Sequence, residues 1–163
     1  FCSNLARRLE IIMIEQDIAR PFWETKSLTE MSVTEWESLC DGCARCCLYK
    51  LQDEDTDEYF YTNVVCRLLN TETCRCTAYD QRTILMPTCL KLTPDLVHSL
   101  GWLPPSCAYR LLAEGKSLPD WHPLISGNPG TVHSAGISVM GKTLSEESVD
   151  MDNLEDYIIS SDD

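Results

Sequence analysis

The feature that most constrains this chain is a block of closely spaced cysteines in its middle. Nine of the ten cysteines lie between Cys40 and Cys107, and the block begins with the spacing C-x2-C-x2-C-C from Cys40 to Cys47. Two residues between cysteines let the chain fold back so that both sulfurs reach one metal ion, while backbone N–H groups point at the thiolates. The spacing therefore predicts a metal site.

The spacing leaves the metal open between zinc and iron. Zinc sites generally use separate cysteine pairs, whereas three closely spaced cysteines plus a remote one are how ferredoxin-type iron–sulfur clusters are held. Adjacent side chains such as those of Cys46 and Cys47 tend to diverge, which favours two neighbouring centres or one multinuclear centre. Nine cysteines fit two four-cysteine sites with one left over.

A disulfide framework is the alternative explanation for so many cysteines, and it requires export to an oxidising compartment. Near the N-terminus the only apolar stretch after the arginine pair covers residues 11–14 and is closed by Glu15. It is shorter than the core of a signal peptide, which needs roughly 7–15 apolar residues. We therefore expect a cytoplasmic protein with reduced thiols.

The charge of the chain limits its partners. Acidic residues number 26 against 13 basic ones, which gives a formal net charge of -13. Nucleic acids and anionic membrane surfaces both require a basic face. No apolar run approaches the roughly 18 residues that cross a bilayer. We expect metal ions and a protein as partners, with no nucleic acid and no membrane.

Local signals predict an α+β fold: a small single domain of short helices, short strands and many loops organised around a cysteine metal cluster. Ser32 and Glu35 form a capping box for a helix that runs to about Leu39, with Val33, Trp36 and Leu39 on one packed face. Other predicted helices cover residues 94–100, 105–114 and 150–160, and predicted strands cover residues 59–66 and 136–141.

The two ends of the chain differ from its middle. Phe1 is not an initiator and Met13 is the first methionine. We therefore expect residues 1–20 to be a non-native or flexible N-terminal extension, with translation starting at Met13. Residues 21–163 are then one cysteine-cluster domain with an acidic C-terminal tail.

Several segments resemble a known family, the bacterial UPF0260 or YcgN-like proteins, which fall within the CxxCxxCC cysteine-cluster superfamily. The resemblance rests on the segments PFWETKSL (21–28), EWESLCDGC (35–43), YTNVVCR (61–67), WLP (102–104), CAYRLLAEG (107–115) and LPDWHP (118–123). It spans about residues 21–159 and implies a bacterial, cytosolic protein that chelates zinc or iron. It implies no reaction, although a related cysteine signature in a flagellin lysine methylase leaves an enzyme open.

The resemblance also implies a set of metal ligands, and Cys2 falls outside its pattern. The candidate ligands are Cys40, Cys43, Cys46, Cys47, Cys66, Cys74, Cys76, Cys89 and Cys107. Among the three histidines, His122 and His133 are further candidate ligands, because histidine is the commonest non-thiolate ligand. Their alternative role is to tie loops together by hydrogen bonds, whereas we expect His98 at the surface or in packing.

Three functions follow from these observations. The first is a cytosolic metal-binding protein whose closed zinc or iron sites support a docking surface. The second is an iron-dependent or iron–sulfur enzyme or redox protein, and the third is a metal chaperone or sensor. The sequence has no phosphate-binding loop, no nucleotide-binding glycine pattern and no nucleophile elbow. Whether the protein is an enzyme, and by which catalytic residues, is therefore left undecided by the sequence.

Overall fold

Short helices and short strands alternate through residues 20–160, the part of the chain that the computed structural model describes. The predicted extension over residues 1–20 lies outside that part, apart from Arg20. Within it the α-helices are α1 Phe22–Thr25, α2 Val33–Ser38, α3 Arg82–Leu85, α4 Pro94–Val97, α5 Ala108–Ala113, α6 Pro123–Ser126 and α7 Thr131–Ser134. The 3-10 helices are Leu28–Glu30, Arg45–Cys47, Tyr79–Gln81, Glu146–Ser148 and Met151–Tyr157.

The strands form two small sheets. They are β1 Leu48–Gln52, β2 Tyr59–Val65, β3 Leu69–Asn70, β4 Arg75–Cys76 and β5 Leu144–Ser145. β1 and β2 pair as an antiparallel hairpin around an exposed acidic loop, and β5 joins the other edge of β2 in parallel. β3 and β4 pair separately, with Leu69 opposite Cys76. This mixed architecture confirms the α+β prediction.

Local capping signals set several helix starts as the sequence predicts. Ser32 and Glu35 make both hydrogen bonds of the capping box at the start of α2. Pro94 occupies the first turn of α4, where backbone N–H groups have no acceptor within the helix, so a residue without an N–H is tolerated. Cys107 is the residue immediately before α5, rather than a member of its first turn as predicted.

Two separate hydrophobic clusters hold these elements together. The helical core joins the ends of α2, α4 and α5, and its buried residues are Leu39, Val97, Leu103, Ala108, Tyr109 and Leu118. The strand core lies against the hairpins, and its buried residues are Ala44, Leu48, Val65, Leu69, Cys74 and Val139. Burying one large apolar side chain contributes about 1.5–3 kcal/mol. The helical core includes Cys107 and Leu39, which precedes Cys40, and the strand core includes Cys47 and Cys74.

Two predictions about packing and strands need correction. Val33 is 79% exposed rather than packed. Trp36 and Leu39 lie three and six positions further along the chain, so at about 100° per helical residue their directions differ from that of Val33 by roughly 60° and 120°. Residues 136–141 form a turn-rich loop and not a strand, since Gly136 and Gly141 both have positive φ. The strand after this loop is β5.

The acidic C-terminal segment folds back onto the sheet. In place of the predicted helix, the 3-10 stretch Met151–Tyr157 breaks at Asn153, and Ile159 then donates its N–H to the carbonyl of Tyr61 at 2.9 Å. None of the helices within residues 20–160 has the length and apolar composition that a membrane crossing requires.

Candidate metal centre

The C-x2-C-x2-C-C segment is a tightly turned loop between α2 and β1. Gly42 has φ +78°, and a Cβ there would lie 3.3 Å from the guanidinium carbon of Arg75. Ala44 also has a positive φ, of 58°, just before the 3-10 helix Arg45–Cys47. Such left-handed positions reverse the chain sharply, which turns successive cysteines toward a common centre.

Six cysteines line one cavity of about 400 Å³. They come from the loop after α2, the 3-10 helix, the end of β2, β4 and the segment after α3. They are Cys40, Cys46, Cys47, Cys66, Cys76 and Cys89. Cys40 and Cys46 are exposed to solvent at the cavity wall even though protein atoms surround them closely. The cavity therefore gathers thiols that are distant in sequence and leaves an access route for an ion.

The remaining wall of the cavity is largely apolar and aromatic, and it includes the side chain of Lys50. The Lys50 ammonium lies 4.5 Å from the ring centre of Trp102 and donates to the carbonyl of Cys46 at 2.9 Å. Trp36, Tyr109 and Arg82 also line the cavity. A partly buried cation beside a thiol cluster offsets the negative charge that the cluster acquires on ionisation.

Backbone N–H groups point at several of the sulfurs. The N–H of Leu68 donates to Cys66 Sγ at 3.4 Å. Burial raises the pKa of Cys40 to about 12, and a hydrogen bond from the Gly42 N–H opposes that shift. Burial likewise raises the pKa of Cys107 to about 11, against hydrogen bonds from the first N–H groups of α5. Such N–H donors stabilise thiolates once a metal replaces the protons.

Cys46 and Cys47 share a hydrogen bond between their side chains. This bond, together with the charge of Lys50, lowers the pKa of Cys46 to about 7, against the effect of burial. The same bond raises the pKa of Cys47, which keeps its proton and acts as the donor. Cys46 is therefore the thiol of this pair that ionises first in the metal-free protein.

Three candidate cysteines do not line the cavity: Cys43 and Cys74, which are buried, and Cys107, which is half-buried. Cys43 is buried close to Asp41 in the sequence. Burial, together with the Asp41 carboxylate, raises the pKa of Cys43 well above its ordinary value. Cys74 is 4% exposed and belongs to the strand core, where its thiol contacts Ser138. The structure thus separates Cys74 from the cavity thiols.

Asp41 is a site residue that the sequence analysis did not single out. It is only 5% exposed, and its Oδ1 accepts a hydrogen bond from the N–H of Cys43 at 2.9 Å. Its Oδ2 is buried and has no hydrogen-bond partner. A buried carboxylate oxygen without a partner is unfavourable, and a nearby cation would satisfy it. The position of Asp41 inside C-D-G-C was the available signal.

The histidines lie outside the cavity. His122 is fully buried and uses both ring nitrogens: Nδ1 accepts from the N–H of Leu124 at 3.1 Å, and Nε2 lies 3.0 Å from the carbonyl of Leu39. His133 Nδ1 lies 2.7 Å from the Ser138 hydroxyl. His98 is exposed. In this arrangement His122 holds loops together, and it would need to break a hydrogen bond to bind an ion.

The donor chemistry of this region fits a metal bound by thiolates. Thiolate sulfur suits zinc, iron and iron–sulfur clusters, and the buried Oδ2 of Asp41, which has no hydrogen-bond partner, is compatible with a cation nearby. Within residues 20–160 no three such side chains already stand as a closed set of ligands.

Comparisons with known proteins agree with this chemistry. Residues 39–108 match the CxxCxxCC family model, described as "Putative zinc- or iron-chelating domain". A UPF0260 protein of Granulibacter bethesdensis is 60% identical over 87% of this chain and 84% of its own length. UPF0260 proteins of Cellvibrio japonicus and Sinorhizobium fredii are 59% and 55% identical, over 95% and 90% of their lengths. No solved structure matches. The chain belongs to the UPF0260 family.

Proposed function

We propose that this protein binds zinc or iron through cysteine thiolates that surround the cavity. The observation that carries the proposal is that six cysteines, from five separate segments, line one cavity. Chance clustering does not explain why cysteines far apart in sequence line one cavity while Cys74 is sequestered in the strand core. The description of the matching family as zinc- or iron-chelating supports the same conclusion.

A reducing compartment suits this function. All nine cysteines in residues 20–160 are free thiols, and a metal-binding thiol must be reduced before it can lose its proton to the metal. We therefore place the protein in the cytoplasm. Its partners on this account are metal ions. The net charge of -13 disfavours binding to a negatively charged nucleic-acid backbone.

Elemental analysis with an absorption spectrum tests the proposal directly. The protein is purified without oxygen, and zinc, iron and acid-labile sulfide are measured per chain. We expect zinc or iron at one or more equivalents. Protein that folds normally but carries neither metal above trace amounts would contradict the proposal.

Replacement of Cys43 by serine tests the ligand role of the most deeply placed loop cysteine. Because metal binding energy in small metal domains is largely folding energy, Cys43→Ser should lower both the metal content and the stability. The readouts are metal per chain and the midpoint of urea unfolding at fixed metal concentration. A variant that folds normally and keeps all of its metal would remove Cys43 from the ligand set.

A second candidate function is an iron-dependent or iron–sulfur enzyme. The observation that favours it is the wall of the cavity beside the sulfurs, where Trp102, Tyr109, Lys50 and Arg82 leave room for an organic molecule. Ligand pockets commonly combine an apolar wall with a few charged groups. Brown protein containing sulfide would support this candidate, whereas colourless protein with zinc alone would exclude an iron–sulfur centre.

A further inference from the structure

We propose that the cysteines form two adjacent four-thiolate metal centres that meet at the Cys46–Cys47 peptide bond. This inference rests on the proposed metal-binding function and adds which cysteines share a centre. Centre A consists of Cys40, Cys43, Cys46 and Cys107. Centre B consists of Cys47, Cys66, Cys76 and Cys89. Cys74 belongs to neither and is a packing residue of the strand core.

The helical core brings the ligands of centre A together. Leu39 and Ala108 are both buried in that core, so the residues next to them, Cys40 and Cys107, are carried to the same place. The hydroxyl of Tyr109 donates to the carbonyl of Trp36 at 2.9 Å and fixes α5 against α2. The tight loop then returns the chain with Cys43 and Cys46.

The hairpins bring the ligands of centre B together. The N–H of Cys66 donates to the carbonyl of Cys47 at 3.4 Å, so the end of β2 lies beside the start of β1. The β3–β4 pairing places Cys76 opposite Leu69. Leu69 lies three residues after Cys66, so the pairing brings the segments of Cys66 and Cys76 together. The segment that carries Cys89 lies close to Cys66, because the Arg67 guanidinium donates to the carbonyl of Leu85 at the end of α3 at 3.0 Å.

The junction between the centres follows from local geometry. Cys46 and Cys47 are consecutive residues of a 3-10 helix, which has three residues per turn, so their side chains leave the axis roughly 120° apart. One of them can therefore face the α5 side while the other faces the hairpins. Both residues line the cavity and their side chains share a hydrogen bond, so the two centres are adjacent at this pair.

The cavity lining shows how the two sets lie relative to each other. All four thiols of centre B line the cavity, together with Cys40 and Cys46 of centre A. Cys43 and Cys107 complete centre A from outside that lining.

This division makes the two centres chemically different. Centre A has a carboxylate at its edge whose Oδ2 lacks a partner, and so it carries additional negative charge. Centre B lies beside the guanidinium of Arg82, which offsets thiolate charge. Because ligand charge and hydrogen bonding tune a metal site, we expect the two centres to release metal at different chelator concentrations.

Three serine variants test the division. Cys107→Ser removes a ligand of centre A, and Cys89→Ser removes one of centre B. Cys74→Ser is the matched control, because its hydroxyl can still hydrogen-bond to Ser138 in the strand core. The proteins are purified without oxygen, checked for folding by circular dichroism, and analysed for zinc and iron per chain. If a variant does not fold, Cys40→Ser or Cys66→Ser replaces it.

We expect Cys107→Ser and Cys89→Ser each to lose about half of the metal, and Cys74→Ser to retain all of it. Alkylation followed by peptide mass analysis supplies a second readout. In Cys107→Ser the other centre A thiols should become labelled while centre B thiols stay protected, and Cys89→Ser should show the reverse. Loss of all metal from either folded variant, labelling across both sets, or loss of metal from Cys74→Ser would overturn the division. Wild-type protein without metal would instead defeat the proposed function.

Discussion

His122 gives the sharpest prediction about stability, because its ring connects two segments from a fully buried position. Its Nδ1 accepts a hydrogen bond from the N–H of Leu124, so the proton must reside on Nε2, which donates to the carbonyl of Leu39. Leu39 directly precedes Cys40. We predict that His122→Ala lowers both the free energy of unfolding and the affinity for metal.

The magnitude follows from the two hydrogen bonds. Without the ring, the buried carbonyl of Leu39 loses this partner, which costs about 1–3 kcal/mol. His122 is also the N-cap of α6, and loss of a cap costs about 0.5–2 kcal/mol. His122→Ala should therefore cost about 1.5–5 kcal/mol. His122→Asn, whose side-chain oxygen can still cap α6, should cost only about 1–3 kcal/mol.

Urea unfolding of the metal-loaded proteins, followed by tryptophan fluorescence at fixed metal concentration, measures these differences. The asparagine variant is the control, because it separates the helix cap from the contact with Leu39. A His122→Ala variant within about 0.5 kcal/mol of wild type, which is the range of ordinary surface changes, would refute the reasoning. Equal losses in both variants would refute the assigned role of the cap.

Two further predictions concern the cysteine loop. Gly42→Ala should cost roughly 1–2 kcal/mol and reduce metal retention, because φ is +78° and Arg75 closes the space; unchanged unfolding and metal content would contradict this. In reduced, metal-free protein the alkylation rate of Cys46 should rise as the pH passes about 7, because the hydrogen bond from Cys47 and the charge of Lys50 lower its pKa. Lys50→Met should move that midpoint to higher pH, and an unmoved midpoint would contradict the electrostatic role of Lys50.

The sequence predicted those parts of the fold that depend on neighbouring residues. The capping box at Ser32 and Glu35 and the proline that begins α4 are local signals, and both elements form where expected. The apolar, β-branched run after the acidic loop forms β2. The loop over residues 136–141 was wrongly predicted as a strand, because β-branched residues between glycines also suit a turn when both glycines adopt positive φ.

The grouping of the cysteines could not be predicted, because it depends on contacts between distant segments. Spacing alone left all nine as equivalent candidates. Cys74 is separated from Cys76 by one residue, yet the β3–β4 turn directs it into the strand core. The burial of Asp41 was likewise not predicted, because it depends on how the loop that turns at Gly42 packs in the fold. Both assignments follow from tertiary packing.

X-ray absorption spectroscopy at the metal edge of the anaerobically purified protein tests the central claim most directly. The account predicts that the nearest scatterers are dominated by sulfur, at about four per metal atom, and at about 2.3 Å if the metal is zinc. Nearest scatterers dominated by nitrogen or oxygen would contradict the account, because the histidines lie outside the cavity and the thiols would then not be the ligands.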